Sequence, residues 1–543
     1  MPPLPTGFFR TRARKIVAAL LFAGLMFVVF LSILAHHAEP LLRARVIETL
    51  STRFQSRVDL AALHVSVFNG LTVSGSGLKI YGQSDPNIHL PGVQPLIDVD
   101  RFSFRTAPIA LLRVPMRIGN VHITGFTLNI PPKETRSELG RVASTRGKIK
   151  MIVDHFEAEK CNLVINTNRL DKLPLEFEIH DLDMTDVGEG RPLQFHASLA
   201  NPKPLGEIAS NGEFGPFNVQ EPRDSPVHGH YTFSHADLGT LKGIAGILSS
   251  SGEYSGTLGN IVVDGVTDTP DFRLDLGGRG IPLQTTFHAI VDGTTGDTYL
   301  QPVHARLMTT PFTAIGKVVR SAYPAGHHIE LDVTLTQGRI QDLLALAMRR
   351  PAPIMTGAVQ LHTRLDLPPG EATVSNRLFL QGKFQISGVH FSSAAVQGKI
   401  DTLSLRSQGK PEMAKNEPAE NIQSRMTGHF TLRNASLDLP DLVFQVPGTR
   451  VSLRGDYPLD GDDFEFHGNA RFDARLSQMV TGWKSLLLKP LDHFFRKDGS
   501  GADIPIKISG TKADVHFGLD FGHKTKQRSA RDQAEMISRE NKQ

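Results

Sequence analysis

Apolar and polar residues alternate along most of the chain from Val58 onward, and this period of two is typical of β-strands that bury one face. Short examples are Val121-His-Ile123 and Leu128-Asn-Ile130, and a longer one is Ile329-Glu-Leu331-Asp-Val333-Thr-Leu335. Asn, Asp, Gly and Pro cluster between these runs and mark turns. Helical periodicity is sparse, and one short apolar helix face is formed by Ile340, Leu343, Leu344 and Ala347. The pattern therefore predicts a mainly β protein with a few short helices.

Two of the alternating segments change parity at a glycine. In Leu71–Tyr81 and in Val121–Ile130, the apolar positions are offset by one residue on the two sides of the glycine. A slip of one residue would turn the second half to the opposite face of the sheet. We therefore expect a bulge at Gly125, and a bulge or tight turn at Ser74–Gly77, that keeps one face of a long, curved sheet apolar. The alternative is an ordinary sandwich with bulges.

The N-terminus has a different pattern, because residues 16–35 read IVAALLFAGLMFVVFLSILA and contain no charge. A helix of 20 residues covers about 30 Å, which is the thickness of a bilayer core. Residues 1–15 contain no acid and carry four bases: Arg10, Arg12, Arg14 and Lys15. The positive-inside rule keeps this segment in the cytoplasm and places the chain after His36 on the other side, in the periplasm or cell exterior.

A cleaved signal peptide is the alternative to a membrane anchor. Its apolar core has about 7–15 residues and ends at a small-x-small site. The run here is longer, and Ala35-His36-His37-Ala38 fits such a site poorly. The sequence therefore predicts one membrane span and a localisation to the inner membrane, with the bulk of the chain periplasmic.

The distribution of charge agrees with this membrane topology. The four bases of residues 1–15 equal the whole excess of 59 basic over 55 acidic residues. A nucleic-acid-binding protein needs a basic stripe on its folded domain, so this distribution argues against that class. Cys161 is the only cysteine, which excludes an intrachain disulfide.

The patterns divide the chain into successive regions. They are a cytoplasmic segment at 1–15, an anchor at 16–35, a connecting amphipathic helix at 36–56, β-rich regions at 57–205 and 206–408, a linker at 409–421, a third β-rich region at 422–523 with a helix near 474–489, and a disordered tail at 524–543.

Motifs of catalysis are absent from the sequence. It contains no G-x-S-x-G, no P-loop G-x-x-x-x-G-K-[ST] and no H-E-x-x-H. The 22 histidines are scattered, and many, such as His122, His362 and His467, occupy strand positions that we expect to face solvent. A loop with calcium-like residues, Val291–Thr298, lacks the alternating carboxylates of an EF-hand and is predicted to be a structural turn. We expect no enzyme activity, no cofactor and no bound metal.

Several segments together resemble one family. Ser51–Ile80 (STRFQSRVDLAALHVSVFNGLTVSGSGLKI) resembles the start of AsmA-family proteins, and Asp98–Pro132, Gly252–Asp297 and Phe444–Gly518 are similar to later parts in the same order. The likeness covers most of the chain between Leu42 and Phe521, including the anchor. It implies an inner-membrane-anchored periplasmic protein with an elongated, curled, twisted β-sheet that encloses an apolar groove. It also implies a role in outer-membrane biogenesis or in phospholipid transport between membranes.

The alternating apolar residues are the candidate lining of such a groove: Val121, Ile123, Leu128, Ile130, Leu331, Val333 and Leu335. A curled sheet with an apolar concave face can shield acyl chains, at about 0.8 kcal/mol per buried CH₂. The alternative is that these residues fill a closed core. The expected partners are the membrane, through residues 16–35, a phospholipid or other envelope lipid, and other envelope proteins. Two other functions stay open: a non-lipid scaffold or assembly factor for outer-membrane proteins, and an envelope hydrolase.

Overall fold

The computed structural model describes twenty parts of the chain. They are residues 26, 40, 43–48, 50–51, 56–66, 71–81, 94–107, 116–130, 151–166, 175–188, 190–218, 221–274, 279–321, 324, 326–347, 352–416, 422–459, 463–480, 501–511 and 515–520.

Several predicted segments lie outside these residues. They are the basic positions Arg10, Arg12, Arg14 and Lys15, the anchor at 16–35 except Met26, and the tail at 524–543. Within the predicted connecting helix at 36–56, residues 43–48 are helical. Among the residues that the structure describes, no helix combines the length and the apolar composition that crossing a bilayer requires.

The prediction of a mainly β protein with a few short helices is confirmed. The described residues form 24 strands: β1 (Val58–Ser66), β2 (Leu71–Ile80), β3 (Ile97–Thr106), β4 (Met116–Ile130), β5 (Met151–Ile165), β6 (Leu175–Gly188), β7 (Leu193–Pro202), β8 (Leu205–Phe214), β9 (Pro226–Asp237), β10 (Ile244–Ala245), β11 (Ile247–Thr257), β12 (Asn260–Leu274), β13 (Ile281–Val291), β14 (Thr298–Leu307), β15 (Thr310–Ser321), β16 (Gly326–Arg339), β17 (Met355–Leu367), β18 (Phe379–Phe391), β19 (Arg425–Arg433), β20 (Ser436–Val446), β21 (Thr449–Pro458), β22 (Asp463–Phe472), β23 (Ala502–Thr511) and β24 (Val515–Leu519).

In the described part of the chain, four α-helices lie between the later strands. They are α1 (Ile340–Ala347), α2 (Val374–Arg377), α3 (Ala394–Ser407) and α4 (Met413–Asn416), and single 3₁₀ turns occur at Pro222–Asp224, Leu238–Thr240 and Leu476–Gln478. Helix α1 confirms the helical pattern read from Ile340 to Ala347. The predicted linker at 409–421 contains α4, and the helix predicted near 474–489 is described only to residue 480, where Leu476–Gln478 forms the 3₁₀ turn.

Contacts between Cα atoms divide the chain into two compact units. Unit 1 comprises residues 1–236 and 251–261, and unit 2 comprises residues 237–250 and 262–543. In unit 1, strands β1 to β7 each pair with the next strand in sequence. These pairs are antiparallel, with the exception of the parallel pair β4–β5.

The parity change predicted at glycines is confirmed in unit 1, but the predicted bulge is wrong. Gly77 and Gly125 both have left-handed backbones, with φ +63° and +70°, and Lys160 at the aligned position of β5 has φ +54°. The registers of β2–β3, β3–β4 and β4–β5 stay constant across these positions, so none of the strands β2 to β5 carries an extra residue relative to its neighbours among them. Neighbouring strands therefore change parity together at one level of the sheet, and their apolar side chains stay on a common face.

In unit 2, the twelve strands β13 to β24 are each antiparallel to the next strand in sequence. Among the described residues, no backbone pairing joins β24 back to β13, so the sheet of this unit stays open. The buried residues concentrate at one end of these strands, where α1 and α3 pack against the sheet.

Candidate functional site

One face of the unit 2 sheet is apolar across all twelve strands, because each strand alternates and the register aligns the apolar positions. One aligned row runs from Val359 through Ile386, Met426, Phe444, Val451 and Ala470 to Ile504. A second row joins Leu331, Leu365, Leu380, Leu432, Leu437 and Tyr457 near the other end of the strands. We call this surface the apolar face.

Glycines on the apolar face lie beneath large side chains from neighbouring strands. A Cβ atom at Gly382 would lie 2.9 Å from the ring of Phe430, and one at Gly455 would lie 2.7 Å from the ring of Phe466. At Gly428 the ring of Phe384 would be 3.2 Å away. Aromatic side chains that cover strand glycines pin the register of a sheet. Here they also lie low over the backbone, which keeps the apolar layer thin.

Much of the apolar face is only half-buried. Leu331 and Val333 of β16 are half-buried, and so are Phe384, Phe430 and Phe466 on the later strands. When two sheets pack face to face, the inner side chains interdigitate and become buried. The described residues supply no second layer of this kind over the middle of the face, so its apolar side chains remain accessible.

One end of the apolar face is closed. Leu335 is 3% exposed and clusters with Val359, Ile386 and Val389, against which Ile340 and Leu343 of α1 pack. Three other side chains, Ile281, Leu307 and Ala345, form a neighbouring buried cluster. Leu403 of α3 packs on Ala470 and Phe472 in a third cluster. The helices thus cover the strand ends, while Leu331 and Val333 lie beyond this cover.

The unit 1 candidates lie on a similar face. Val121 is aligned with Phe104 and Phe156, and Ile123 is aligned with Phe102 and Ala158. Leu128 is aligned with Ile97 and Leu163, and these candidates are half-buried. Ile130 pairs with Ile165 through its backbone, and its side chain lies outside the described part. The structure therefore brings Val121, Ile123 and Leu128 onto one face of β4, on both sides of Gly125.

The polar face of the sheet carries a different pattern, in which histidines pair with carboxylates on other strands or at strand ends. His122 Nδ1 lies 3.3 Å from Glu157, His362 Nδ1 lies 3.5 Å from Asp332, and His467 Nδ1 lies 2.7 Å from Asp520. Further pairs of this kind are His155–Asp183, His180–Glu207, His230–Glu253, His288–Asp264, His328–Asp366 and His429–Asp441. These contacts account for many of the histidines as cross-strand partners.

No metal site emerges from the same side chains. Within the described ranges, no group of three or more His, Cys, Asp or Glu residues is arranged to hold a metal ion. The calcium-like loop is a turn in which Asp292 Oδ1 accepts hydrogen bonds from the Thr294 and Thr295 backbone N–H groups, at 2.8 and 3.2 Å. Asp297 accepts one from the backbone N–H of Arg320. Both carboxylates thus stabilise the connection of β13 to β14.

Glu465 gives this polar face a measurable pH dependence. A hydrogen bond from Lys507, at 2.8 Å, and a second from His467 hold the pKa of Glu465 below its usual value. A lowered folded-state pKa contributes stability above the unfolded pKa, and this contribution is lost as the pH falls through the folded value. We expect Glu465→Gln to cost less than about 1 kcal/mol at neutral pH, because the side chain is half exposed. Chemical denaturation should show that this cost disappears in acid, whereas a cost independent of pH would contradict the assignment.

The sequence pattern missed two elements of the site. Helix α3 was not predicted, and neither was the buried carboxylate of Asp342, which is 4% exposed. Ser393 caps the N-terminus of α3, and Gly409 with Lys410 closes its C-terminus through hydrogen bonds to Arg406 and Leu405. The Ser and Gly spacing was the available signal for this helix.

Comparison with known proteins adds no identification, since no protein-family model, no curated protein and no solved structure matches the chain.

Proposed function

We propose that this chain is an AsmA-like envelope protein that shields lipid acyl chains on the apolar face of an elongated, curled sheet. In this proposal residues 16–35 anchor it in the inner membrane, the rest is periplasmic, and it supports outer-membrane biogenesis or phospholipid transport between membranes. The observation that carries the proposal is the apolar face of unit 2, which is continuous over twelve strands and half-buried in its middle.

The physical basis is the transfer of apolar surface out of water. A half-buried face of Leu, Val and Phe side chains gains when acyl chains cover it, at about 25 cal/mol per Å² of apolar area. The many similar positions along β13 to β24 offer no single deep site, so an acyl chain can occupy overlapping positions.

Lipid analysis of the natively purified full chain tests this proposal. Mass spectrometry of extracted lipid should find phospholipid with the wild-type protein and several-fold less with the double variant Leu331→Asn, Val333→Asn. The matched control is Ile315→Asn, which exchanges a β-branched residue that is 54% exposed on the polar face of the neighbouring strand β15. The control should retain the lipid, and circular dichroism should show all three proteins folded.

Two results would contradict the proposal. One is a wild-type protein that carries no lipid, and the other is equal lipid content in the double variant and the wild type. A scaffold for outer-membrane proteins would instead show crosslinks to a protein that survive the double substitution.

A further inference from the structure

Four arginines are aligned across the polar face of unit 2. The register runs from Arg339 on β16 to Ala358, Ser387 and Arg425 on the next three strands. It continues through Gln445 on β20 to Arg450 and Arg471, and it ends at the half-buried Asp503 on β23. We call Arg339, Arg425, Arg450 and Arg471 the arginine row. They lie at the end of the strands that α1 and α3 cover on the opposite face.

All four side chains of the arginine row are exposed, and within the described residues none of them makes an ion pair or a side-chain hydrogen bond. Two lysines on the same face are paired. Lys317 lies 3.1 Å from Glu330, and Lys507 lies 2.8 Å from Glu465. The arginines of this row differ from these two lysines in having, in the described part of the chain, no carboxylate within ion-pair distance.

The neighbouring row on one side offers these arginines no charged partner. It separates the arginine row from the paired charges, and it contains only uncharged residues: Gln360, Gln385, Thr427, Val443, Ser452, Asn469 and Pro505. Arg450 and Arg471 are also directly opposite each other on adjacent strands. Like charges in this arrangement destabilise a sheet. An external anion removes that repulsion.

The geometry favours an extended anionic surface. The row spans seven strands, from β16 to β22, so it extends over about 29 Å at about 4.8 Å per strand. Single-stranded nucleic acid is bound by basic grooves with interleaved aromatic residues. The positions between the arginines are Ala358, Ser387 and Gln445, which offer no stacking platform.

We propose that the arginine row docks unit 2 on a membrane surface that contains anionic phospholipids. The head groups supply phosphates that pair with guanidinium groups, and Arg binds phosphate with well-defined geometry. This contact uses the polar face and does not depend on lipid binding by the apolar face. It would place one end of the strands, with α1 and α3, beside the membrane.

Vesicle flotation of the full chain tests the docking. The protein, held in phosphatidylcholine nanodiscs, is mixed with vesicles of phosphatidylcholine alone or with phosphatidylglycerol added. We expect the wild-type protein to float with the anionic vesicles in preference to the neutral ones, and this preference should fall at high salt because exposed charges are screened. Each arginine changed to glutamine should weaken the binding about fivefold.

A charge-matched variant controls for net charge. It replaces four other exposed arginines by glutamine: Arg101, Arg105, Arg306 and Arg320. This control should retain anionic-vesicle binding, whereas the quadruple variant of the arginine row should lose it. Equal binding to neutral and anionic vesicles, or equal loss in both variants, would overturn the proposal. Row-dependent crosslinking to an acidic protein without vesicle binding would overturn it in favour of a protein partner.

The lipid analysis of Leu331→Asn, Val333→Asn distinguishes this docking from the proposed function. That variant leaves the arginine row intact, so it should float with anionic vesicles like the wild type. If it lost the acyl-chain cargo and kept the vesicle binding, both proposals would stand separately. Loss of vesicle binding in a folded protein with this substitution would overturn the assignment of docking to the arginine row.

Discussion

Replacing Gly125 by alanine is expected to lower the free energy of unfolding of unit 1 by about 2–5 kcal/mol. The residue has φ +70°, which disfavours any side chain with a Cβ atom. The added Cβ would also lie 2.2 Å from Oδ2 of Asp100 on β3, so this side chain or the strand must shift. Because β2 to β5 change parity at one level, a shift at Gly125 disturbs the register of its neighbours.

Gly190 provides a matched control for this substitution. It lies in the turn before β7 with φ +74°, and a Cβ atom there would meet nothing within 4 Å. Gly190→Ala should therefore cost only the backbone term of about 1–2 kcal/mol. Urea denaturation followed by circular dichroism, with proteolysis of unit 1 as a second readout, would compare the two. If both variants lost the same stability, the close packing against Asp100 would not matter.

The sequence predicted the parity change at Gly125 but not the way the sheet accommodates it. The offset between Ile123 and Leu128 is visible in one strand, and it suggested a bulge. In the structure the neighbouring strands share the change, and on β5 it is a lysine, Lys160, that adopts the left-handed conformation. Lysine has no preference for the left-handed backbone conformation, so the residue type could not predict it. Its conformation follows from its partners across the sheet, which the local sequence does not reveal.

For the candidate lining residues, too, the sequence predicted one property and missed another. Alternation placed Leu331, Val333 and Leu335 correctly on one face of a strand, since the period of side chains in a strand is two. It could not distinguish the half-buried Val333 from Leu335, which is 3% exposed. The difference depends on α1, which folds back onto the strand end. The spacing of apolar residues did not predict helix α3, because its buried positions include Ser404 and Ser407. The hydroxyls of these serines donate hydrogen bonds to the carbonyl oxygens of Pro447 and Leu403.

The closed part of the apolar face and the arginine row lie at the same end of the unit 2 strands, on opposite faces of the sheet. There the apolar face is closed by α1 and α3, and the opposite face carries the arginine row. If that end docks on an anionic surface, the accessible part of the apolar face extends away from the membrane. Acyl chains would then be received at the half-buried middle, around Val333 and Phe384, and not through the covered end.

Replacing Asp342 by alanine is expected to release α1 from this end and to cost unit 2 about 1–3 kcal/mol, which is the cost of leaving a buried donor without its acceptor. The buried carboxylate accepts hydrogen bonds from the Thr309 backbone N–H (3.2 Å), the Thr309 hydroxyl (2.7 Å) and the Thr310 hydroxyl (2.8 Å). Thr310 is fully buried, so its donor would lose its partner without access to water. The three bonds join α1 to the turn between β14 and β15.

Two measurements report whether α1 still covers the strand ends. Hydrogen exchange of residues 340–347 should accelerate in Asp342→Ala, and a hydrophobic dye should bind to Leu335 and Val359 once α1 no longer covers them. Asp342→Asn is the conservative control, because its amide oxygen can still accept from the Thr309 and Thr310 hydroxyls, and it should lose less than half as much stability. Unchanged exchange in α1 after Asp342→Ala would show that apolar contacts alone hold the cap, since Ile340 and Leu343 would then suffice to keep it on the strand ends.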